Sequence, residues 1–372
     1  MSRGRALALC LLVLPGPAAA FTGELPVLHQ TPRALGMGGA DVAVGGDPGA
    51  LFSNPAGLAQ MAPGWQSEPL QVTVAASRLS RRFYADARSA LDEDTAAEQR
   101  TELARVVRRF RGDNLHGQAS VVPQAGWRGE QWAFGAAWLE SATVQGRPRQ
   151  GFGAEGLVSL DAARRSGPVL GAAYRSGPWA LGAGVKALRS ERLRESYSVR
   201  EVVERTEAGD DIRDDSVTGS SAALDLGLQY ELAPGYAWQP RLGVVVQHIG
   251  GLDFSADDRI PPTASVGYTM RVPLARRADL RLAAEYFDVL RDAGDDRDHD
   301  KRIRLGAALR PWDARWYALT LRAGLYQGAG TAGIDLRLAG VRLGLTTYAE
   351  EQGAFAGQNR DRRYMVTIGF GR

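Results

Sequence analysis

The chain has 372 residues, 23% of them charged, a mean hydropathy of −0.23 and a formal net charge of +3 at pH 7. This composition excludes a helical membrane protein, and without residues 1–20 the net charge is only +1, so nucleic acid is not expected as a partner. The single cysteine, Cys10, lies within those twenty residues, so the remainder can form no disulfide.

Residues 1–20 have the organisation of a secretory signal peptide. A basic start with Arg3 and Arg5 is followed by the apolar stretch 6–14, which is too short to span a bilayer. Three alanines ending at Ala20 form a small-residue cleavage site. We therefore expect the mature chain to begin at Phe21 and to be exported.

The segment 21–68 has no strand alternation. It is rich in glycine and proline between small apolar residues, which predicts tight turns and short helical pieces. A second irregular segment, 83–111, contains neither proline nor glycine and has the apolar spacing of one or two amphipathic helices. Two interpretations of this insertion stay open. It either forms a lid over one end of the strand region that follows, or packs as a helix against the segment 21–68.

From residue 69 onwards, apolar and polar residues alternate in segment after segment, separated mostly by short turns. In Tyr317–Leu325, for example, every second residue is apolar, because successive strand side chains point to opposite faces. We identify fifteen candidate strands, among them 154–164 and 167–175, but bacterial single-chain barrels have an even number. At least one division is therefore wrong, and we expect the error in the region 154–206, where one element is misdivided.

The sequence thus predicts an all-β fold, an antiparallel transmembrane β-barrel over 69–372 with about fourteen strands, sixteen being the alternative. With an export signal, such a barrel belongs in a bacterial outer membrane, in contact with its lipid. A soluble periplasmic β-sandwich is disfavoured because a sandwich rarely needs so many strands. Trp132, Trp179, Tyr230, Tyr286 and Tyr317 lie near strand ends, as an interfacial aromatic girdle requires.

The final segment, 364–370, alternates down to Phe370. A terminal amphipathic strand ending in Phe is typical of the signal read by the barrel-assembly machinery, which we expect as a partner during insertion. Gly371 and Arg372 follow the Phe, a departure from the commonest form.

Two motifs about fifteen residues apart carry a family resemblance: Arg33-Ala-Leu-Gly-Met-Gly-Gly-Ala40 and Leu51-Phe-Ser-Asn-Pro-Ala-Gly-Leu-Ala59. Together they resemble the N-terminal plug of the FadL superfamily of outer-membrane barrels. That superfamily includes long-chain fatty-acid and aromatic-hydrocarbon transporters as well as PorV-like and TraF-like barrels. The resemblance implies that 21–68 is a plug, and that a hydrophobic substrate passes when the plug rearranges and leaves through a lateral opening.

The same motifs supply the candidate site. Small residues let a plug backbone approach the wall closely, and Asn54 before Pro55 favours a fixed turn whose amide can satisfy buried backbone groups. The candidate plug and ligand-path residues are Leu35, Met37, Phe52, Asn54, Pro55, Ala56 and Leu58.

Strand alternation places a set of charged residues on the inward faces of the barrel. Such charges are costly unless they are wetted or paired, so they indicate either a bracing network against the plug, which we favour, or a partly wet channel. They also argue mildly against a wide lumen lined for fatty acids. The set is Asp225, Arg241, Arg281, Glu285, Arg302, Arg304, Arg322, Asp335, Arg337 and Arg342.

No spacing of His, Ser or acidic residues matches a catalytic or metal motif, so neither an enzyme nor a cofactor is predicted. The acidic stretch 292–300 and the charged stretch 201–215 are interpreted as solvated loops rather than calcium sites. The leading hypothesis is a monomeric barrel that binds or passes a hydrophobic small molecule. The alternative is a non-transporting scaffold for secretion or surface assembly, as in PorV-like members.

Overall fold

A computed structural model describes residues 24–150, 156–208, 215–276, 278–293, 298–314 and 316–371. Fourteen antiparallel strands form a closed barrel, which confirms the predicted fold class and strand number. The strands are β1 (Gly64–Glu68 and Leu70–Ser77), β2 (Leu115–Val121 and Gln124–Arg128), β3 (Trp132–Arg149), β4 (Leu157–Ser176), β5 (Trp179–Ser198), β6 (Val217–Glu231), β7 (Arg241–Ile249), β8 (Thr263–Ala275), β9 (Ala278–Tyr286), β10 (Ile303–Asp313), β11 (Tyr317–Tyr326), β12 (Ala329–Leu338), β13 (Val341–Glu351) and β14 (Arg360–Phe370).

Each strand pairs with its sequence neighbours, and β14 pairs with β1 to close the barrel. Two adjacent strands are interrupted at prolines, β1 at Pro69 and β2 at Val122–Pro123, because proline has no N–H to give to the ladder. The Val122 N–H donates to the Gln71 carbonyl at 2.9 Å, so the wall stays connected beside the interruption.

One predicted boundary between two strands was wrong. The candidate strands 154–164 and 167–175 belong to the single strand β4. Next to the predicted break, Gly167 has φ +149°, a conformation that favours glycine, and has no room for a Cβ against the Ala187 carbonyl oxygen. Pro168 lies opposite Trp138 of β3, so the strand continues through it.

The two ends of the barrel differ. At one end, here the turn end, most neighbouring strands are joined by short turns, such as Ala339–Gly340 between β12 and β13. At the other, the loop end, lie three helices: α2 (Ser80–Leu91), α3 (Ala96–Arg109) and α4 (Val199–Ala208). They share an apolar core that includes Leu103 and Val203, and Thr95 caps α3 by accepting a hydrogen bond from the Glu98 N–H.

The outward faces of the strands are apolar and exposed, as at Phe134, Leu181 and Leu226. Exposed aromatic side chains gather at the turn end, among them Trp65 and Trp316. Within the described residues, no helix has both the length and the apolar character needed to cross a membrane.

A short hairpin between β7 and β8 folds into the lumen, a feature that the sequence did not reveal. Its two segments are Leu252–Ser255 and Asp258–Ile260. Asp258 accepts hydrogen bonds from Arg165 at 2.7 Å and Arg192 at 2.8 Å, and is 1% exposed. We refer to this element as the inner hairpin.

The segment that precedes β1, which we call the plug, fills the lumen of the barrel. It consists of helix α1 (Pro32–Gly36) and two 3₁₀ helices, Pro48–Phe52 and Pro55–Gln60, joined by turns. Pro32, Pro48 and Pro55 each begin a helix, where a missing N–H costs nothing.

A belt of inward-facing glycines on ten wall strands receives the plug. At eight of them an added Cβ would lie within 3 Å of a plug atom, for example 2.1 Å from the Ala56 nitrogen at Gly182 and 2.3 Å from the Met37 oxygen at Gly306. At Gly182 and Gly306 the plug backbone rests on the wall with no side chain between them, whereas at Gly135 and Gly171 the side chains of Leu58 and Leu51 fill the space. The glycine belt comprises Gly126, Gly135, Gly171, Gly182, Gly227, Gly243, Gly267, Gly306, Gly324 and Gly333.

We predict that Gly182→Ala destabilises the plugged barrel by about 1–3 kcal/mol, because the new methyl overlaps the plug backbone. Unfolding in guanidinium, followed by heat-modifiable gel migration, measures the change. Gly330→Ala is the matched control, since Gly330 is an exposed strand glycine whose added Cβ would meet no described atom within 4 Å. Equal effects of the two substitutions would contradict a close fit at Gly182.

Candidate functional site

Asn54 ties together the parts of the plug and joins the plug to the wall. It is 1% exposed, and its side-chain oxygen accepts the Ala56 N–H at 3.0 Å, which caps the second 3₁₀ helix. Its amide nitrogen donates to the Val42 carbonyl at 2.9 Å, and lies 3.4 and 3.3 Å from the wall carbonyls of Leu228 and Val244. The side chain thus satisfies both a donor and acceptors that the irregular plug leaves unpaired.

Wall side chains satisfy other plug backbone groups. Glu285 accepts the N–H groups of Asp41 at 2.8 Å and Val42 at 2.9 Å. Gln247 donates to the Phe52 carbonyl at 3.0 Å, and Gln229 donates to the Val42 carbonyl at 3.0 Å. These wall groups satisfy plug backbone groups that the internal hydrogen bonds of the plug leave unpaired, and so hold the plug in register.

The candidate plug residues are all buried, but they do not form one group. Phe52, Ala56 and Leu58 belong to the largest apolar cluster. Leu35 packs with Tyr326 and Tyr348, and Met37 with Ala283 and Ala308, in two separate clusters. The structure therefore brings only part of the candidate ligand path together.

Most of the candidate lumen charges are paired across the wall. Arg304 contacts Glu285 at 3.0 Å, Arg241 contacts Glu231 at 3.4 Å, and Asp335 holds Arg342 at 2.8 Å and Arg322 at 3.7 Å. Arg337 contacts Asp313 at 2.9 Å near the turn end.

Two of these charges stand apart from that network. Arg302 precedes β10 rather than lining the lumen, and lies buried in the loop before it, 3.5 Å from Asp288. Within the described part of the chain, Arg281 has no ion pair or hydrogen bond.

Asp225 pairs with a residue that the sequence reasoning missed. Lys186 of β5 lies 2.6 Å from Asp225 and 3.3 Å from the His248 ring, and both members of the ion pair are 1% exposed. Alternation with the outward Val185 was the available signal that Lys186 faces inward. Removing one partner would leave a buried uncompensated charge, so this pair constrains the wall strongly.

A chamber of about 770 Å³ opens at the loop end and ends on the plug. Its apolar side includes Leu28 of the plug and Ile260 of the inner hairpin. Its polar side carries arginines that all have acidic partners, such as Arg194 with Asp161 at 3.3 Å. A second void of only about 40 Å³, lined partly by Phe52, holds no more than a few waters.

The start of the plug is fixed to the chamber wall by Glu24. Its carboxylate contacts Arg363 at 3.0 Å and accepts from Gln352 at 3.0 Å. Burial alone would raise the pKa of Glu24, but the Arg363 charge holds it well below its ordinary value, so this anchor is ionised at neutral pH. Burial, assisted by the charge of Lys186, lowers the pKa of His29 to about 4, so His29 is neutral there.

Within the described residues, no group of His, Cys, Asp or Glu is arranged to hold a metal ion. In the acidic stretch 292–300, residues 294–297 lie outside the described residues, as do 209–214 of the stretch 201–215.

No family model and no curated protein sequence matches the chain. Solved structures do match. The TodX deltaS2S3 mutant monoaromatic hydrocarbon channel is 12% identical, with 92% of this chain and 98% of that chain covered and a TM-score of 0.57. The CymD monoaromatic hydrocarbon channel is 14% identical, with coverages of 95% and 98% and a TM-score of 0.54. The Ralstonia pickettii toluene transporter TbuX is 14% identical, with coverages of 92% and 98% and a TM-score of 0.54.

The chain therefore has the fold of the FadL-type hydrocarbon channels, which confirms the resemblance seen in its plug motifs. At 12–14% identity the similarity defines the fold and leaves the substrate to other arguments.

We predict that Asn54→Ala leaves the barrel assembled but loosens the plug, at a cost of about 1–3 kcal/mol, because the Ala56 N–H loses its buried partner. Protease accessibility of the plug, compared with heat-modifiable migration of the barrel, separates the two effects. Ser53→Ala is the control, since the adjacent Ser53 hydroxyl has no hydrogen-bond partner to lose among the described residues. Failure of the Asn54 variant to assemble at all would make Asn54 a folding residue of the barrel.

Proposed function

We propose that this protein is a monomeric outer-membrane channel that binds or passes a hydrophobic small molecule, with the N-terminal plug as its gate. The observation that carries the proposal is one continuous apolar cluster that joins the floor of the loop-end chamber, the plug and the wall strand β2. The solved structures that it resembles include a hydrocarbon channel and a toluene transporter, which is consistent with such a cargo.

The cluster can be followed from the chamber. Leu28 lines the chamber and packs in the same cluster as Phe52 of the plug. Next come Leu51 and Leu58, whose side chains fill the space that wall glycines leave open. The cluster reaches Val122, beside the proline interruption of β2. In the proposed mechanism, a cargo captured in the chamber displaces plug side chains and leaves laterally near this interruption.

The location in the outer membrane rests on the surface of the barrel. Apolar outward rows, exposed tryptophans at the turn end and an export signal are the features of a bacterial outer-membrane barrel. Because such barrels have short periplasmic turns and long external loops, we assign the loop end with α2, α3 and α4 to the outside. The chamber then opens towards the medium.

One set of contacts favours the second candidate function, a scaffold that transports nothing. The plug rests on the glycine belt, and the arginines of the chamber wall are already paired, as at Arg165 with Asp258. A protein with that lumen could instead present its loop-end helices to another surface component. A reversible lock on the plug separates the two functions.

We predict that a disulfide between Val42→Cys and Gly267→Cys blocks passage. The ideal Cβ at Gly267 lies 3.4 Å from the Val42 Cβ, close to the separation found in disulfides, and the mature chain is expected to contain no competing cysteine. Uptake of toluene and of oleate by cells that produce the double variant is measured after oxidation and again after reduction. Loss on oxidation and recovery on reduction are the expected results.

The two single-cysteine variants are the controls, and their uptake should not respond to oxidation. Uptake that persists in the locked protein would contradict a gating plug. If the reduced protein and the wild type take up neither probe above cells without the barrel, passage itself is contradicted and the scaffold function is favoured.

A further inference from the structure

A cluster of arginines lies on the inner wall at the turn end, below the plug. Arg271 of β8, Arg281 of β9, Ala308 of β10 and Arg322 of β11 are direct neighbours across four adjacent strands. Arg310 lies directly opposite Asp279, which is two residues from Arg281 on β9, and therefore points to the same face. We refer to Arg271, Arg281, Arg310 and Arg322 as the arginine row.

The arrangement is unfavourable for the barrel alone. Arg271 and Arg281 lie directly opposite each other, and like charges at that position destabilise a sheet. The charges of Arg33 and Arg310 act on both Arg281 and Arg322, and they are opposed by Asp279 at Arg281 and by Asp335 at Arg322.

Four nearby acids contact arginines other than Arg281 and Arg322. Asp279 contacts Arg271 at 3.3 Å, and Asp313 contacts both Arg310 at 2.8 Å and Arg337 at 2.9 Å. Two further acids, Asp41 and Asp47, contact Arg33 of the plug.

Two guanidinium groups of the row therefore remain incompletely satisfied. Arg281 has neither an ion pair nor a hydrogen bond to any residue that the structure describes. Arg322 is 7% exposed, reaches Asp335 only at 3.7 Å, and its Nε has no partner in the same described ranges. Arg281 is only partly buried, whereas the buried Arg322 N–H without an acceptor is costly. The planar donor fork of either side chain fits an oxyanion closely.

We infer that the arginine row is a binding site for the oxyanion of a small solute, a carboxylate or a phosphate group, at the turn-end mouth. Arg281 and Arg322 supply the free donors, and the half-exposed Arg271 and Arg310 form the rim through which an anion enters. Because Arg322 is recessed against Gly36 of the plug, a small anion fits better than the surface of a partner protein. The site does not depend on whether a hydrophobic molecule passes the plug.

The test uses the purified full barrel in a neutral detergent. Inorganic phosphate and acetate are titrated by calorimetry and by the temperature of heat modification, with chloride at equal ionic strength as the reference. We expect phosphate to bind and to raise the unfolding temperature, and Arg281→Gln to weaken its binding at least tenfold.

Arg281→Gln has a second expected signature that a structural arginine would not give. Without phosphate, the variant should be more heat-resistant than the wild type, because the repulsion from Arg271 is removed. Arg322→Gln should weaken phosphate binding similarly. Arg259→Gln, an arginine at the other end that is paired with Asp253 at 2.8 Å, should leave it unchanged.

Three results would overturn the inference. One is a wild-type protein whose unfolding temperature rises no more with phosphate or acetate than with chloride. Another is an Arg281 variant that is less stable than the wild type without anion and binds phosphate equally well. The third is stabilisation by phosphatidylglycerol in nanodiscs with none by phosphate, which would assign the arginine row to lipid headgroups.

Discussion

The structure depends on direct contact between the plug and the backbone of the barrel wall. Ten strands each contribute a glycine at this contact, and at Gly182, Gly227 and Gly306 even a methyl group would overlap the plug. In a close-packed protein interior, even the addition of one methylene group affects stability. Here the space between the wall glycines and the plug is smaller than a methylene group. The registers of the wall strands and the path of the plug are therefore coupled, since a shift of one residue would place a side chain where the plug must lie.

This contact explains the polar character of the lumen. A plug made of short helices and turns leaves many N–H and C=O groups unpaired, and burial makes each of them costly. With glycine at the contact, neighbouring wall side chains such as Glu285 and Gln247 can reach those groups. Most of the inward charged side chains thus form hydrogen bonds with the plug or ion pairs with each other. Arg281 is the exception that motivates an anion site.

Much of the architecture could be predicted because its signals are local. Two-residue alternation marks each strand, Asn54-Pro55 marks a turn, and the motif around Gly38 marks the plug. The break predicted at 165–166 was wrong because local composition does not show whether the neighbouring strands continue past it. The inner hairpin was missed because its segments are three and four residues long, too short for a periodic pattern.

The site was harder to predict because its residues meet only through the registers of distant strands. Each belt glycine, taken alone, is simply a small inward residue, and only the closed barrel places ten of them against one segment. Lys186 and Asp225 are separated by 39 residues, and their ion pair follows from the β5–β6 pairing, which no local pattern fixes. The pairing of Arg271 with Arg281 became visible for the same reason only in the structure.

Hydrogen exchange of the plug amides, measured by mass spectrometry on the assembled barrel, tests the central claim most directly. The N–H groups of Asp41 and Val42, held by Glu285, and of Ala56, held by Asn54, are predicted to exchange as slowly as those of the wall strands. Plug amides that exchange at the rate of an unstructured segment, while the strands stay protected, would show that the plug is not seated on the glycine belt, and would contradict the account.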